Sequence, residues 1–365
     1  MIKSIHIHNI KILKDVEQSL APLTILTGLN GRGKSTFIQS LLLAWNTLKN
    51  NDVCFNFDNE YIYLESVGSA FSWDHDDEVI ALELEIDDCK FSFVSEPIDY
   101  GNIEEDILPL DLTNNITFPR ATLPYRLQYL SAWRMGSMKT FPMASRAVLL
   151  NNSVSVKYGD GMATPRFLHM HKNKQIPVSN LSYQPDVSLE LGEQVNAWLK
   201  DISPDLNLQP EKGAKEMFLR YSPAGFRGVS TLRADACNVG YGITYALPVV
   251  TAVLASRPGD IVVVETPEAH IHPAGQAKLM NLISLAVSNG IQVILETHSD
   301  HIIHGVLRNL KNGVLKPEEV GVMFFDKSAD STVMPISLKC TENGRIRGAC
   351  RGFFDQYMID MDELL

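Results

Sequence analysis

The chain opens on strand-like patterning. Residues 4–10 (SIHIHNI) alternate apolar and polar positions, and Leu23 to Gly28 (LTILTG) is an apolar run closed by a glycine, so two short strands are expected with a connection around Asp15. The period then changes. GKSTFIQSLLLAWNTL sets Phe37, Ile38, Leu41, Leu42, Leu43 and Trp45 at helical spacing. VIALELEI and KFSFVS return to period 2 around Asp87 and Asp88, which predicts two half-buried strands in a sheet. Residues 100–185, rich in Asn, Pro and Met, carry no clear period. LGEQVNAWLKDI reads as an amphipathic helix stopped by SPDLNLQP.

Beyond Arg233 the punctuation is regular: a helix from NVGYGITYALPVVTAVLA, a strand at DIVVVE, a helix at AGQAKLMNLISLAV, a strand at IQVILET and a helix at DHIIHGVLRNLK. Strands alternating with helices predict a parallel sheet. GVMFFD and STVMPISL around DKSAD predict a hairpin. There is no internal repeat and no heptad run long enough for an extended coiled coil.

Composition narrows the class. With 365 residues, 45% hydrophobic and 21% charged, the chain can build its own core. A net charge of -11 has the wrong sign for a surface that binds phosphate backbone throughout, and the short basic segments at 139–146 and 339–351 read as solvated surface. Nucleic-acid contact would have to be local. Cys54, Cys89, Cys237, Cys340 and Cys350 show no paired spacing, which fits a reducing cytoplasm. No leader-like start and no apolar run of membrane-spanning length is read, so no membrane association is expected.

The strongest chemical signal is GLNGRGKS, Gly28 to Ser35, which satisfies G-x-x-x-x-G-K-[ST] between an expected strand and an expected helix. Gly28, Gly31 and Gly33 allow the backbone amides to face an anion. Lys34, expected in a solvent-facing loop, would reach the β- and γ-phosphates, and the Ser35 hydroxyl would join a Mg²⁺ shell. Far along the chain IVVVE ends in Glu265, an acid at a strand tip where Mg²⁺ could be held through water. His270, His272, His298, His301 and His304 fall within 35 residues, and His-x-His beside Glu can ligate zinc or iron. Loop and helix-capping roles are the plainer reading.

GLNGRGKS, NVGYGITYALP, ETPEAHIHP, ETHSDH at 296–301 and RGFFDQ at 351–356 resemble the ABC-type ATPases related to OLD, RecF and SMC heads, and especially the stand-alone ATPases of bacterial anti-phage defence operons. The resemblance is strong over residues 1–45 and 230–310; VNAWLKDISP and YLSAWR extend it less specifically. It implies an α/β fold: a P-loop ABC-type ATPase head with a mixed sheet, a helical and β lobe inserted between phosphate loop and signature, and a short C-terminal extension. Residues 1–50 would be the N-terminal part of the core, 51–230 the inserted lobe, 231–338 the C-terminal part and 339–365 the extension.

By that resemblance Gly28, Asn30, Gly31, Gly33, Lys34, Ser35 and Thr36 would bind ATP, with Ser35 and Glu265 on Mg²⁺. Asn238, Gly240 and Gly242 would form the signature that meets the γ-phosphate bound by a second copy. His298 would be the switch histidine and Gln128 a Mg²⁺-sensing glutamine. Two departures bear on hydrolysis: Asn238 stands where many signatures carry Ser, and Thr266 where a general-base Glu usually follows. Glu268 is the nearest substitute carboxylate. The resemblance further implies a homodimer closed on ATP and a separately encoded effector, with a RecF- or SMC-like DNA-repair head as the alternative. Only 67 residues follow His298, too few for the nuclease domain of OLD proteins.

Overall fold

A computed structural model describes every residue of the chain except 73–77, 100, 114–123, 203, 205, 224–233, 328–332, 349–351 and 365. Part of the expected DKSAD turn, Arg233, Cys350 and Arg351 therefore lie outside the described residues. The described residues form two compact units, Met1–Tyr125 with Pro317–Leu365, and Arg126–Lys316.

In the first unit β1 (Ile2–Ile10) pairs antiparallel with β2 (Leu13–Ser19) on one side and with Ala81–Ile86 on the other, and Cys89–Val94 completes a four-stranded sheet. Asp15 lies inside β2 and not in a connection: it pairs with His8 across the strands, and its carboxylate bonds His6 Nε2 at 2.5 Å. The buried residues of β2, Leu13 and Val16, are three apart, so no alternation betrays the strand. β3 (Leu23–Gly28) runs parallel to Val320–Lys327, which pairs antiparallel with Val333–Cys340, making a mixed sheet. Helix α1 (Lys34–Asn50) follows β3, and the Phe37 ring meets Phe325 edge-on at 5.7 Å.

The second unit is built on three parallel strands, with β4 (Leu127–Leu130) and β6 (Gln292–Glu296) flanking a central β5 (Ile261–Glu265). Ile261 to Val264 are each 0% exposed, which is why this strand reads as an unbroken apolar run. Helices α2 (Tyr241–Leu254), α3 (Pro273–Ser288) and α4 (Asp300–Lys311) accompany it. A second, antiparallel sheet pairs Leu206–Lys212 with Glu216–Pro223, where the sequence shows only the end of helix Leu191–Lys200. No described helix is long and apolar enough to cross a membrane.

Candidate functional site

β3 ends at Gly28 because nothing larger fits. Its φ is +134°, and a Cβ there would sit 2.3 Å from the Phe325 carbonyl oxygen. Gly31 and Gly33, at φ +70° and +85°, carry the loop through left-handed backbone into α1. Gly33 supplies no side-chain cap and the first turn of α1 holds no acid, so the positive helix end faces the loop without a carboxylate of its own. Lys34 corrects the expected exposure. It is the first residue of α1, only 4% exposed, and its Nζ donates to the Gly28 and Leu29 carbonyls at 2.9 and 2.8 Å. Asn30, Gly31 and Ser35 are exposed, while Thr36 is buried. A turn of amides, a helix N-terminus and an ammonium held against the loop together suit a polyphosphate.

In the second unit β5 ends in Glu265, 7% exposed, with both oxygens bonded: Tyr129 Oη donates to Oε1 at 2.9 Å and the Ala132 amide to Oε2 at 3.1 Å. Burial pushes its pKa up, and these donors pull it back in part. Thr266 follows at φ +42°, a strained place for a β-branched residue, and its amide donates to the Glu296 carbonyl at 2.7 Å. Glu268 Oε1 accepts the His298 amide at 2.8 Å, and burial raises the Glu268 pKa too. Glu268 and His298 are thus joined through backbone, while the half-exposed His298 ring reaches to 4.0 Å from Glu296 Oε1.

The start of α2 leans on the same turn. Gly240 caps the helix in open space, whereas a Cβ on Gly242 would lie 2.5 Å from the His270 carbonyl oxygen. The His270 ring stacks near Tyr241 and Tyr245, and His272 Nδ1 caps α3 by accepting the Ala274 amide at 3.3 Å. Asn238 is exposed just ahead of α2. His301 and His304 lie together on α4. Among the described residues no group of three or more His, Cys, Asp or Glu side chains could hold a metal ion. Gln128 sits inside β4, 2% exposed, with its amide spent on the Asn152 carbonyl and the Val154 amide at 2.8 and 3.2 Å. In this geometry it ties down the 152–154 segment.

Residues 180–304 match the family described as "AAA domain, putative AbiEii toxin, Type IV TA system", and residues 315–364 match DUF3696, a family of proteins of unknown function. The OLD nuclease of Thermus scotoductus is 24% identical over 324 residues, covering 82% of this chain and 59% of that protein. Among solved structures, an SMC head bound to the C-winged helix domain of ScpA aligns over 93% of this chain and 97% of its own, at TM-score 0.54 and 10% identity. The Pyrococcus furiosus Smc head with an extended coiled coil, bound to the C-terminal domain of ScpA, aligns over 100% and 99%, at TM-score 0.51 and 10% identity. The chain has the fold of the SMC heads, and its sequence is similar to an AAA-domain family and to an OLD nuclease.

The chain spans 59% of the length of the OLD nuclease it matches. Residues Gly28–Thr36 lie in the first unit, and Gln128, Asn238, Gly240, Gly242, Glu265, Glu268 and His298 in the second. Three further residues belong to the acidic turn and carry no periodic signal: Tyr129, which bonds Glu265; Glu296, which lies in register with Glu265 on β6 and is 5% exposed; and Arg134, the buried last residue of YLSAWR. YLSAWR, read as a family segment, holds Tyr129 and Arg134, and ETHSDH at 296–301 opens on Glu296.

Proposed function

We propose that this chain is an ABC-type P-loop ATPase of the OLD and SMC-head kind that binds ATP with Mg²⁺ at Gly28–Thr36, hydrolyses it slowly, and uses the nucleotide to pair two copies of itself and so control a separately encoded effector in bacterial anti-phage defence, in the cytoplasm. The observation that carries the reading is the phosphate loop: left-handed glycines, an α1 N-terminus without acid or side-chain cap, and the Lys34 ammonium held on the loop carbonyls. Bound Mg²⁺ would neutralise charge developing on the phosphate oxygens. The exposed Ser35 hydroxyl and the Glu265 carboxylate are hard oxygen donors of the kind that ion takes, and they are the residues proposed to hold it.

Pairing would bring Asn238, Gly240 and Gly242 of one copy to the γ-phosphate held by the other. Support for a partner protein comes from likeness alone, since the SMC heads of this fold were solved with ScpA bound. Slow turnover follows from the turn. A Thr266 hydroxyl has no useful basicity at neutral pH, so it can orient water but cannot take its proton. Glu268, the proposed base, already accepts the His298 amide, and His298 is proposed to contact the γ-phosphate.

Calorimetry and light scattering test the reading together. The parent should bind ATP and pair on binding it; Lys34→Ala should weaken binding about tenfold or more by removing the phosphate-facing ammonium. Gly240→Asp should bind ATP yet fail to pair, because a carboxylate placed against phosphate repels it. Unchanged ATP affinity in folded Lys34→Ala would sink the phosphate-loop assignment. Tight duplex-DNA binding with a steep salt slope would favour the repair reading instead.

A further inference from the structure

Arg134 is 2% exposed, and among the described residues none of its hydrogen bonds goes to a carboxylate. Its guanidinium is met by four backbone carbonyls from three places. Nη1 donates to Ser131 O at 3.1 Å and Glu265 O at 2.7 Å, Nη2 to Thr266 O at 2.9 Å, and Nε to Tyr245 O at 3.1 Å. Its Cζ also lies 4.0 Å from the centroid of the Tyr245 ring, whose hydroxyl donates to Ala132 O. One rigid fork therefore holds the end of β4, the first turns of α2, and both carbonyls of the acidic turn.

That turn needs holding. Thr266 at φ +42° is a conformation an isolated Thr would leave, and strained residues persist only where their surroundings over-determine them. Arg134 grips the carbonyls on either side of the strained φ, while the Thr266 amide is taken by Glu296 O. The start of α2 touches the far end of the same turn, where Gly242 lies against His270 O.

We infer that Arg134 is a positioning residue that locks the Glu265–Glu268 turn in register with the Gly240–Gly242 end of α2, so that engagement of that helix end sets the geometry of the acidic residues. This rests on the ATPase reading above. A Lys cannot replace the fork, because one ammonium cannot reach carbonyls spread over three segments. The positioning role separates binding from turnover: the hydrogen bonds of Arg134 go to Ser131, Tyr245, Glu265 and Thr266, so ATP affinity at Gly28–Thr36 should survive its replacement.

The test is a double-mutant cycle on the full chain with Arg134→Lys, Thr266→Gly and the pair, reading ATP affinity by calorimetry, turnover by phosphate release, and stability by urea unfolding. Arg134→Lys should keep ATP affinity within about threefold while turnover falls roughly 10- to 100-fold, the scale of a 1 Å misplacement. Thr266→Gly relieves the strain, so adding Arg134→Lys to it should cost far less turnover and less urea resistance than in the parent. Parental turnover in Arg134→Lys, equal losses of affinity and turnover, or strict additivity would overturn the inference while leaving the ATPase reading intact. If the parent binds no ATP, the ATPase reading fails and additivity in the urea cycle alone decides the clamp. If Arg134→Lys does not fold, Tyr245→Phe is read instead: a milder turnover loss at unchanged affinity supports the lock, and parental turnover overturns it.

Discussion

Two glycines two residues apart at the head of α2 should respond to alanine with opposite sign. At Gly242, inside the first helical turn, alanine gains about 1 kcal/mol of helix propensity. Its Cβ, however, would fall 2.5 Å from His270 O, 3.4 Å from His270 C and 3.8 Å from Ile271 Cα. These are backbone atoms of a segment tied on both sides, by Ile271 N to Glu268 O at 3.0 Å and by Gln276 Nε2 to Ile271 O at 2.8 Å. No side chain can swing aside. Relief demands that α2 or the turn move, and overpacking of that kind costs about 1–3 kcal/mol, enough to cancel the propensity gain and leave Gly242→Ala less stable by up to about 2 kcal/mol. At Gly240, with φ -55°, ψ 138° and nothing within 4 Å, alanine fits, and the stiffer unfolded chain stabilises the fold by about 0.4–1 kcal/mol. Urea unfolding followed by circular dichroism measures both: the midpoint should fall for Gly242→Ala and hold or rise for Gly240→Ala, with unchanged slope. A Gly242→Ala midpoint at or above the parent's would refute the close approach of α2 to the acidic turn.

Burial raises the Glu265 pKa above its ordinary 4.5, so the folded state holds that proton more tightly than the unfolded one; this contribution to stability is full below the ordinary value and is lost as pH rises through the raised one. Glu265→Gln should therefore gain on the parent in urea unfolding without nucleotide as pH rises from the ordinary value through the raised one, and a difference that shrinks with rising pH would contradict the assignment. Glu268→Gln keeps an oxygen for the His298 amide but loses any basicity, so turnover should fall while ATP affinity stays; Thr266→Glu should leave turnover unchanged or raise it from a parental rate well below the usual 1 to 10³ s⁻¹. Fast parental turnover that survives Glu268→Gln would place the base elsewhere.

The elements legible in the sequence are those whose burial is uniform along them. The run Ile261 to Val264, covered on both faces, and α1, with its apolar residues at helical spacing, announce themselves by pattern. β2 does not, because Asp15 and Glu17 face solvent and the buried positions are unevenly spaced. Leu206–Lys212 does not either, because Pro210 argues against a strand; it is tolerated there because that strand has a neighbour on one side only within its sheet, and the Pro210 carbonyl lies 3.4 Å from His169 Nδ1.

The candidate site divides along the same line. The proposed phosphate loop is local: eight consecutive residues specify glycines at left-handed φ and a lysine that returns to its own loop, so the string alone points to it. The acidic turn is assembled from afar. Glu265 is bonded from Tyr129 and Ala132, more than 130 positions earlier, and Glu268 from His298, 30 positions later. A single sequence shows the carboxylates but not their donors. Thr266 shows why that matters: in the string it is a missing general base, whereas in the fold it is a strained residue whose carbonyl is held by Arg134 and whose amide is held by Glu296. Strain of order 1–3 kcal/mol at such a residue persists only because those partners outweigh it, so the contacts that hold Thr266 also fix where Glu265 and Glu268 stand.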